Sequence, residues 1–170
     1  MSAEISIRLA DKTDRPAILN VLRDAFRRED EARLVEKLWQ AGAMTTELVA
    51  EEDDIVIGYC AFSIVTAEPA LEGLLLGLAP LAVLNERQGK GVGIALAMRG
   101  LEICHEKNAA LIVVLGEPEY YSRFGFKPAS DYDVSWAAMD AGRAFQLIDF
   151  AGITGATPYK INYHSAFAEV

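Results

Sequence analysis

Between Gln88 and Gly93 the chain reads Gln-Gly-Lys-Gly-Val-Gly, a spacing suited to holding a phosphate group. Residues without a Cβ let the backbone come close to an anion. When a helix follows, its first N–H groups and the positive end of its dipole point to the same place. Three phosphate-binding templates test the segment. The Walker loop, Gly-x-x-x-x-Gly-Lys-Ser/Thr, fails at both ends, because Leu84 stands five residues before Gly89 and Gly91 follows Lys90. The dinucleotide fingerprint Gly-x-Gly-x-x-Gly/Ala aligns Gly89 and Gly91 but puts Ile94 where its third glycine belongs. The template Gln/Arg-x-x-Gly-x-Gly/Ala, between a strand and a helix, is met at every position by Gln88, Gly91 and Gly93. Arg87 and Lys90 add local positive charge. Such a loop also occurs simply to join a strand to a helix, so its chemical meaning depends on its surroundings.

A second signature lies downstream, Tyr-Tyr-Ser-Arg-Phe-Gly-Phe at residues 120–126. Together the two segments resemble the acetyl-CoA site of the GNAT superfamily of N-acetyltransferases, whose order of strands and helices most of the chain also follows. The closing Tyr-Lys-Ile-Asn-Tyr-His-Ser-Ala-Phe looks like the ending of a small branch of predicted acetyltransferases within it. The resemblance implies that Arg87, Gln88, Gly89, Lys90, Gly91, Val92, Gly93 and Ile94 hold the pyrophosphate of acetyl-CoA. It also implies that Leu81, Ala82 and Val83 offer main-chain groups to its pantetheine arm and to the oxyanion. Tyr121 falls on the family's tyrosine, a phenol of pKa ~10 that gives a proton to the departing thiolate. The alternative is that Tyr121 packs its short helix onto the sheet. Tyr120, one residue away on that helix, is expected to point elsewhere.

The implied reaction is direct attack of an uncharged primary amine on the thioester carbonyl. An alkylammonium has a pKa of ~10, so a carboxylate, water chain or histidine must take its proton. Glu68, Glu72, Glu117 and Glu119 lie by sequence where the cleft should open, although each is also an ordinary solvated loop carboxylate. His105 and His164 read as structural or surface residues. The acceptor is left open among small amines, antibiotics, amino acids and peptide or protein amines. Trp39, Tyr132 and Trp136 are candidates to line its pocket or to pack in the core. Two other functions stay open: a silent acyl-CoA sensor, and a partner-binding domain that kept the fold without the ligand.

These residues need elements to hold them. Ile-Ser-Ile-Arg-Leu-Ala alternates as a first strand, and Pro16 suits a first helical turn. Two helices, or one bent one, follow through residue 39. Residues 45–67 read as a hairpin turning at the acidic residues 52–54, and Leu-Glu-Gly-Leu-Leu-Leu-Gly-Leu-Ala-Pro-Leu-Ala-Val-Leu as a buried central strand. A helix after Gly93, a strand at residues 108–116, a short helix from Pro118 to Gly125 and two terminal strands complete the list. The expected fold is α/β (α+β): a GNAT fold in one domain over residues 1–170, with a central mixed, mostly antiparallel, twisted sheet flanked by helices.

Composition narrows the partners. Of 170 residues 52% are hydrophobic, enough for one sizeable core. The net charge of -9 opposes nucleic acid, which needs surplus Lys and Arg to displace counterions. It favours a cationic acceptor, although acidity also serves solubility. Neither a signal-like N-terminus nor an apolar run of the ~18 residues that span a bilayer is present, so no membrane partner and a cytoplasmic location are expected. Cys60 and Cys104 lie too far apart for a metal motif, and reduced thiols with no metal are expected. Dimers are common in the family, which leaves a homodimer open.

Overall fold

The structure, a computed structural model, describes residues 4–169; the first three residues of the N-terminal segment and Val170 lie outside it. After β1 (Ile5–Leu9) come the helices α1 (Arg15–Phe26) and α2 (Asp30–Ala41). They are two helices because Arg27 adopts a left-handed conformation, φ 56°, that ends the first. β2 (Met44–Glu52) and β3 (Ile55–Ile64) form the hairpin. Its turn residues Asp53 and Asp54 have φ of 52° and 62°, the left-handed region that a tight hairpin needs and that Asp tolerates. Then follow β4 (Thr66–Glu68), β5 (Leu74–Val83), α3 (Val92–Glu106), β6 (Ala109–Leu115) and the one-turn α4 (Pro118–Tyr121). β7 (Lys127–Pro128), β8 (Val134–Trp136), β9 (Phe145–Asp149) and β10 (Tyr159–Asn162) end the chain.

Seven strands form one sheet in the order β1-β2-β3-β5-β6-β9-β7, antiparallel throughout except for β5 beside β6. This is the mixed, mostly antiparallel GNAT architecture expected. Side chains alternate between its faces. Leu48, Ala50, Cys60, Phe62, Ile112 and Val114 pack under Leu96, Ala97 and Cys104 of α3. On the other face Val49, Tyr59, Ala61 and Ala82 meet Ile18, Val21, Leu22, Ala32 and Val35 of α1 and α2. Burying each large aliphatic side chain contributes about 1.5–3 kcal/mol. With both faces covered, β6 is the near-continuous apolar run that its sequence shows.

One layer was not legible in the sequence. β4, β10 and β8 form a second, three-stranded sheet that covers Leu111, Val113 and Leu147 beside the α1–α2 layer. The terminal segment expected as one long strand leaves the sheet after Asn162. His164 Nδ1 accepts the Ala166 N–H at 3.0 Å, and residues Ser165–Glu169 coil into a 3-10 turn. Side-chain capping of a turn has overridden the alternating pattern.

Candidate active site

β5 and β6 pair only from Leu74 opposite Ala109 to Gly77 opposite Val113. Beyond Gly77, β5 runs on to Val83 paired with β3 alone, while β6 pairs onward with β9. The strands diverge there, and the free edge of β5 from Leu78 onward offers main-chain groups that the sheet does not use.

At the open end of this gap β5 enters the glycine loop. Asn85 ties it to α1, its backbone N–H donating to Asp24 Oδ2 at 2.8 Å and its side-chain amide to the Asp24 carbonyl at 2.6 Å. Gln88 Nε2 donates to the Val83 carbonyl at 3.1 Å and to Asn85 Oδ1 at 3.2 Å. Gly91, with φ 83°, is the N-cap of α3 and has no capping side chain. The first α-helical hydrogen bond runs from the Ala95 N–H to the Gly91 carbonyl, 3.0 Å. The N–H groups of Val92, Gly93 and Ile94 therefore lack helical acceptors. They face a cavity of about 320 Å³ lined by Val83, Arg87, Gln88, Gly89, Gly91, Val92, Gly93, Ile94 and Tyr120.

Eight of the expected cofactor-site residues thus meet around one cavity. Lys90 is exposed beside it, and Leu81 lies beneath it, its Cδ2 4.0 Å from where a Gly93 Cβ would stand. The Ala82 side chain turns away into the α1–α2 core, so only its main chain is available here. Arg87 brings less free charge than its sequence suggests, since its Nε is paired with Glu52 Oε1 at 2.9 Å.

The α4 tyrosines divide differently from expectation. Tyr120 does not point elsewhere: its hydroxyl stands 3.0 Å from the position of a Gly93 Cβ and forms part of the loop cavity. The signal for this was Gly93 itself, whose missing side chain makes the room. Tyr121 lies in the divergence between the strands. Its ring covers Gly116, where an added Cβ would be 2.4 Å from Tyr121 Cε2, and it meets Phe126 edge-on at 5.9 Å. Burial, with a smaller contribution from Tyr120, pushes the Tyr121 phenol up to about 12.

A third phenol, absent from the sequence candidates, sits across the gap. The Tyr163 ring lies against Gly77 at the last β5–β6 pair, with Cε1 2.6 Å from where a Cβ would stand. Burial holds its pKa above the ordinary tyrosine value, and proximity to Tyr121 adds to the rise. In the sequence it is simply one position of the expected terminal strand.

The expected carboxylates do not converge. Glu68, Glu72, Glu117 and Glu119 are all exposed, and none lines the loop cavity. His105 is a surface residue stacked on Phe150 at 4.4 Å. Trp39 is structural, donating to Glu47 Oε1 at 2.6 Å beneath the Arg15 guanidinium, and Tyr132 packs against the second-sheet core. Cys60 and Cys104 are buried and unpaired; burial raises both thiols, Cys104 to about 11, so neither is a ready nucleophile. Among the described residues no group of three His, Cys, Asp or Glu could hold a metal ion, and no helix is long and apolar enough to cross a membrane.

Residues 44–128 match the family model for the acetyltransferase (GNAT) domain. The chain is 38% identical over 165 residues to the N-acetyltransferase YhbS of Escherichia coli K12, covering 93% of this chain and 98% of that one. The crystal structure of E. coli YhbS in complex with CoA superposes with a TM-score of 0.88 at 35% identity, over 99% of this chain and 94% of that one. A GNAT family acetyltransferase from Brucella melitensis in complex with acetyl-CoA gives a TM-score of 0.82 at 35% identity, over 97% and 99%.

Proposed function

The chain belongs to the GNAT acetyltransferase family, an acetyl-CoA-dependent N-acetyltransferase with acetyl-CoA as co-substrate, and from that premise we propose that it acetylates a primary amine by direct attack, with Tyr121 as the acid. The observation that carries this reading is the set of uncapped α3 N–H groups facing a cavity at the mouth of two diverging strands. Such groups, with the positive end of the helix dipole, match a pyrophosphate. The free β5 edge matches an extended amide-bearing arm, and Gly93 leaves the room a Cβ would take. The site therefore suits the co-substrate without any metal.

Bound acetyl-CoA supplies the activated acetyl thioester. Main-chain N–H groups at residues 81–83 stabilise the negative charge that grows on the carbonyl oxygen. The Tyr121 hydroxyl donates its proton to the sulfur as the C–S bond breaks and the N–C bond forms, and solvent then reprotonates the phenol. The amine's own proton leaves to water. No carboxylate lines the loop cavity, and Glu68, Glu72, Glu117 and Glu119 all stand exposed to solvent. The products balance as an N-substituted acetamide and free CoA thiol.

Residues 1–170 act as one domain in this reading. The cytoplasm is the proposed compartment, consistent with two buried, unpaired thiols. A partner-binding role is not favoured, because it needs no uncapped cradle, and a silent acyl-CoA sensor is not favoured, because it needs no buried phenol at the gap. Two measurements test the proposal. Acetyl-CoA at a hundredfold excess over Kd should stabilise the protein by about 2.7 kcal/mol, seen as a melting shift. A panel of primary amines should then elicit thiol release. No shift at millimolar acetyl-CoA, together with no release for any amine, would reject the reading.

A further inference from the structure

A second cavity, about 240 Å³, has Tyr163 in its lining together with Trp136, Ala138, Asn162, His164 and Phe167. Its aromatic residues come from three segments that the second sheet brings together. Trp136 ends β8, Tyr163 follows β10, and Phe167 sits on the terminal 3-10 turn. Trp136 meets Tyr163 edge-on at 6.2 Å, and Tyr163 meets Phe167 at 5.0 Å. No Asp, Glu, Lys or Arg lines the cavity. Tyr163 is thus a wall shared by the gap holding Tyr121 and this aromatic cavity.

Beneath the Tyr163 ring, outside the cavity's own lining, lies a buried polar group without a partner among the described residues. Ser63 pairs directly with Gly77, so its side chain stands on the same face of the sheet, beside the space that the Tyr163 ring fills. Ser63 Oγ is fully buried and has no hydrogen-bond partner among the described residues. Leaving such a group unsatisfied costs about 1–3 kcal/mol, and a polar ligand atom or water can remove that cost.

We propose that this cavity receives the body of the acetyl acceptor, and that the preferred acceptors are primary amines on a short arm carrying one uncharged aromatic ring, with Tyr163 guiding the arm into the gap. The inference rests on the transferase reading above and names the substrate class of that same site. Size supports it: an apolar cavity of about 150 Å³ holds a benzene molecule, and this one has room for a phenyl ring and a two-carbon arm. Ring edges and faces of Trp136, Tyr163 and Phe167 favour an aromatic guest. The absence of charged lining residues disfavours a polyamine or an acidic amino acid, whose extra charges would be desolvated without partners. The net charge of -9 draws the ammonium form toward the protein before it sheds its proton.

The probes are 2-phenylethylamine, ethanolamine, spermidine and an N-blocked lysine peptide, each with the full chain and saturating acetyl-CoA. The value of kcat/KM for 2-phenylethylamine should exceed that of the other three by roughly tenfold or more, the discrimination that burying an apolar group supplies. Ala138 is exposed on the cavity wall, so Ala138→Trp fills the space without disturbing the core. It should raise KM for 2-phenylethylamine about tenfold and leave the acetyl-CoA melting shift intact. Calorimetric binding of 2-phenylethylamine to the CoA-loaded protein should weaken in step, and Tyr163→Phe should keep most of that binding because the ring remains. Equal kcat/KM across the probes, or a preference for spermidine or the peptide, overturns the inference while leaving the transferase reading standing. An unchanged KM in Ala138→Trp does the same. Absence of any acetyl-CoA shift and of thiol release with every amine overturns both.

Discussion

Around the N-terminus of α3 the wall of the cavity is main chain: uncapped N–H groups, left-handed glycines and a strand edge, braced by hydrogen bonds from Asn85 and Gln88. Around Tyr163 the wall is side chain: three aromatic rings, gathered from β8, the end of β10 and the C-terminal turn. The two regions meet at Gly77 and Gly116, whose missing Cβ atoms seat Tyr163 and Tyr121. A main-chain site recognises what every co-substrate molecule shares, an anion and a row of amides. A side-chain site recognises what differs between acceptors, and it can be altered without touching the first. The regions should therefore respond independently, the first to a side chain added at a glycine and the second to a change in the space between its rings.

The largest effect expected is at Tyr121, where the two regions join. Tyr121→Phe keeps the ring on Gly116 and removes only the hydroxyl, so turnover should fall about 10²–10⁴-fold while the acetyl-CoA melting shift stays near wild type. Thiol release at saturating acetyl-CoA measures it. Retention of more than half the wild-type turnover would give the proton transfer to another group. Tyr120→Phe is not a neutral control, because Tyr120 lines the loop cavity.

Next in size is an added side chain in the main-chain region. Gly93 is helical and its Cβ would press only on the end of the Tyr120 side chain, at 3.0 Å, with ordinary contacts to Val83 at 3.7 Å and Leu81 at 4.0 Å, so Gly93→Val should fold. It should lose most of the roughly 2.7 kcal/mol that a hundredfold excess of acetyl-CoA provides. Gly91 is a poorer test, since its φ of 83° would strain a branched residue whether or not ligand is bound. A normal shift in Gly93→Val would move the phosphate cradle elsewhere.

A pH profile separates the acid from the acceptor. The folded phenol of Tyr121 holds its proton to about 12, against ~10 in the unfolded chain. Its contribution to stability is accordingly complete below pH ~10 and is lost as pH rises through the folded value. Turnover should show the same protonated acid: log kcat/KM rises with pH as the ammonium of pKa ~10 ionises, and no falling limb starts below pH ~10. A falling limb with a midpoint near 8 or 9 would identify a different acid.

The smallest effect is the complement of the Gly93 experiment. Gln88→Ala deletes two exposed hydrogen bonds, at 3.1 and 3.2 Å, from the brace of the loop. It should cost at most about 1 kcal/mol in stability and a few-fold in acetyl-CoA affinity, by calorimetry. A larger loss would show that the side chain, and not the backbone alone, holds the phosphate, and the contrast between the two regions would narrow.

How much of each region could be read from the chain follows the same division. The loop was legible because its parts are consecutive: Gln88 through Ile94 carry loop, cap and the start of α3 in one unbroken stretch. The hairpin, α3, β6 and the one-turn α4 were legible for the same local reason, through periodicities of two and 3.6 residues and through turn residues such as Asp53, Asp54 and Pro118, whereas the direction of Tyr120 was not. The second sheet was not, since β4, β8 and β10 are three or four residues each and gain their order from one another across more than ninety residues of chain.

By itself, then, the amino-acid order determined that a glycine loop leads into α3, that two adjacent tyrosines sit on a one-turn helix after β6, and which segments become core, because each rests on interactions between neighbours in the chain. Only the tertiary structure decided that β5 and β6 part after Gly77, that Tyr120 joins the cradle while Ala82 turns away, and that Tyr163 and Trp136 share a cavity with Phe167. Those outcomes depend on which distant surfaces exclude water together, and that free energy is proportional to area buried between segments and carries no signature in local order.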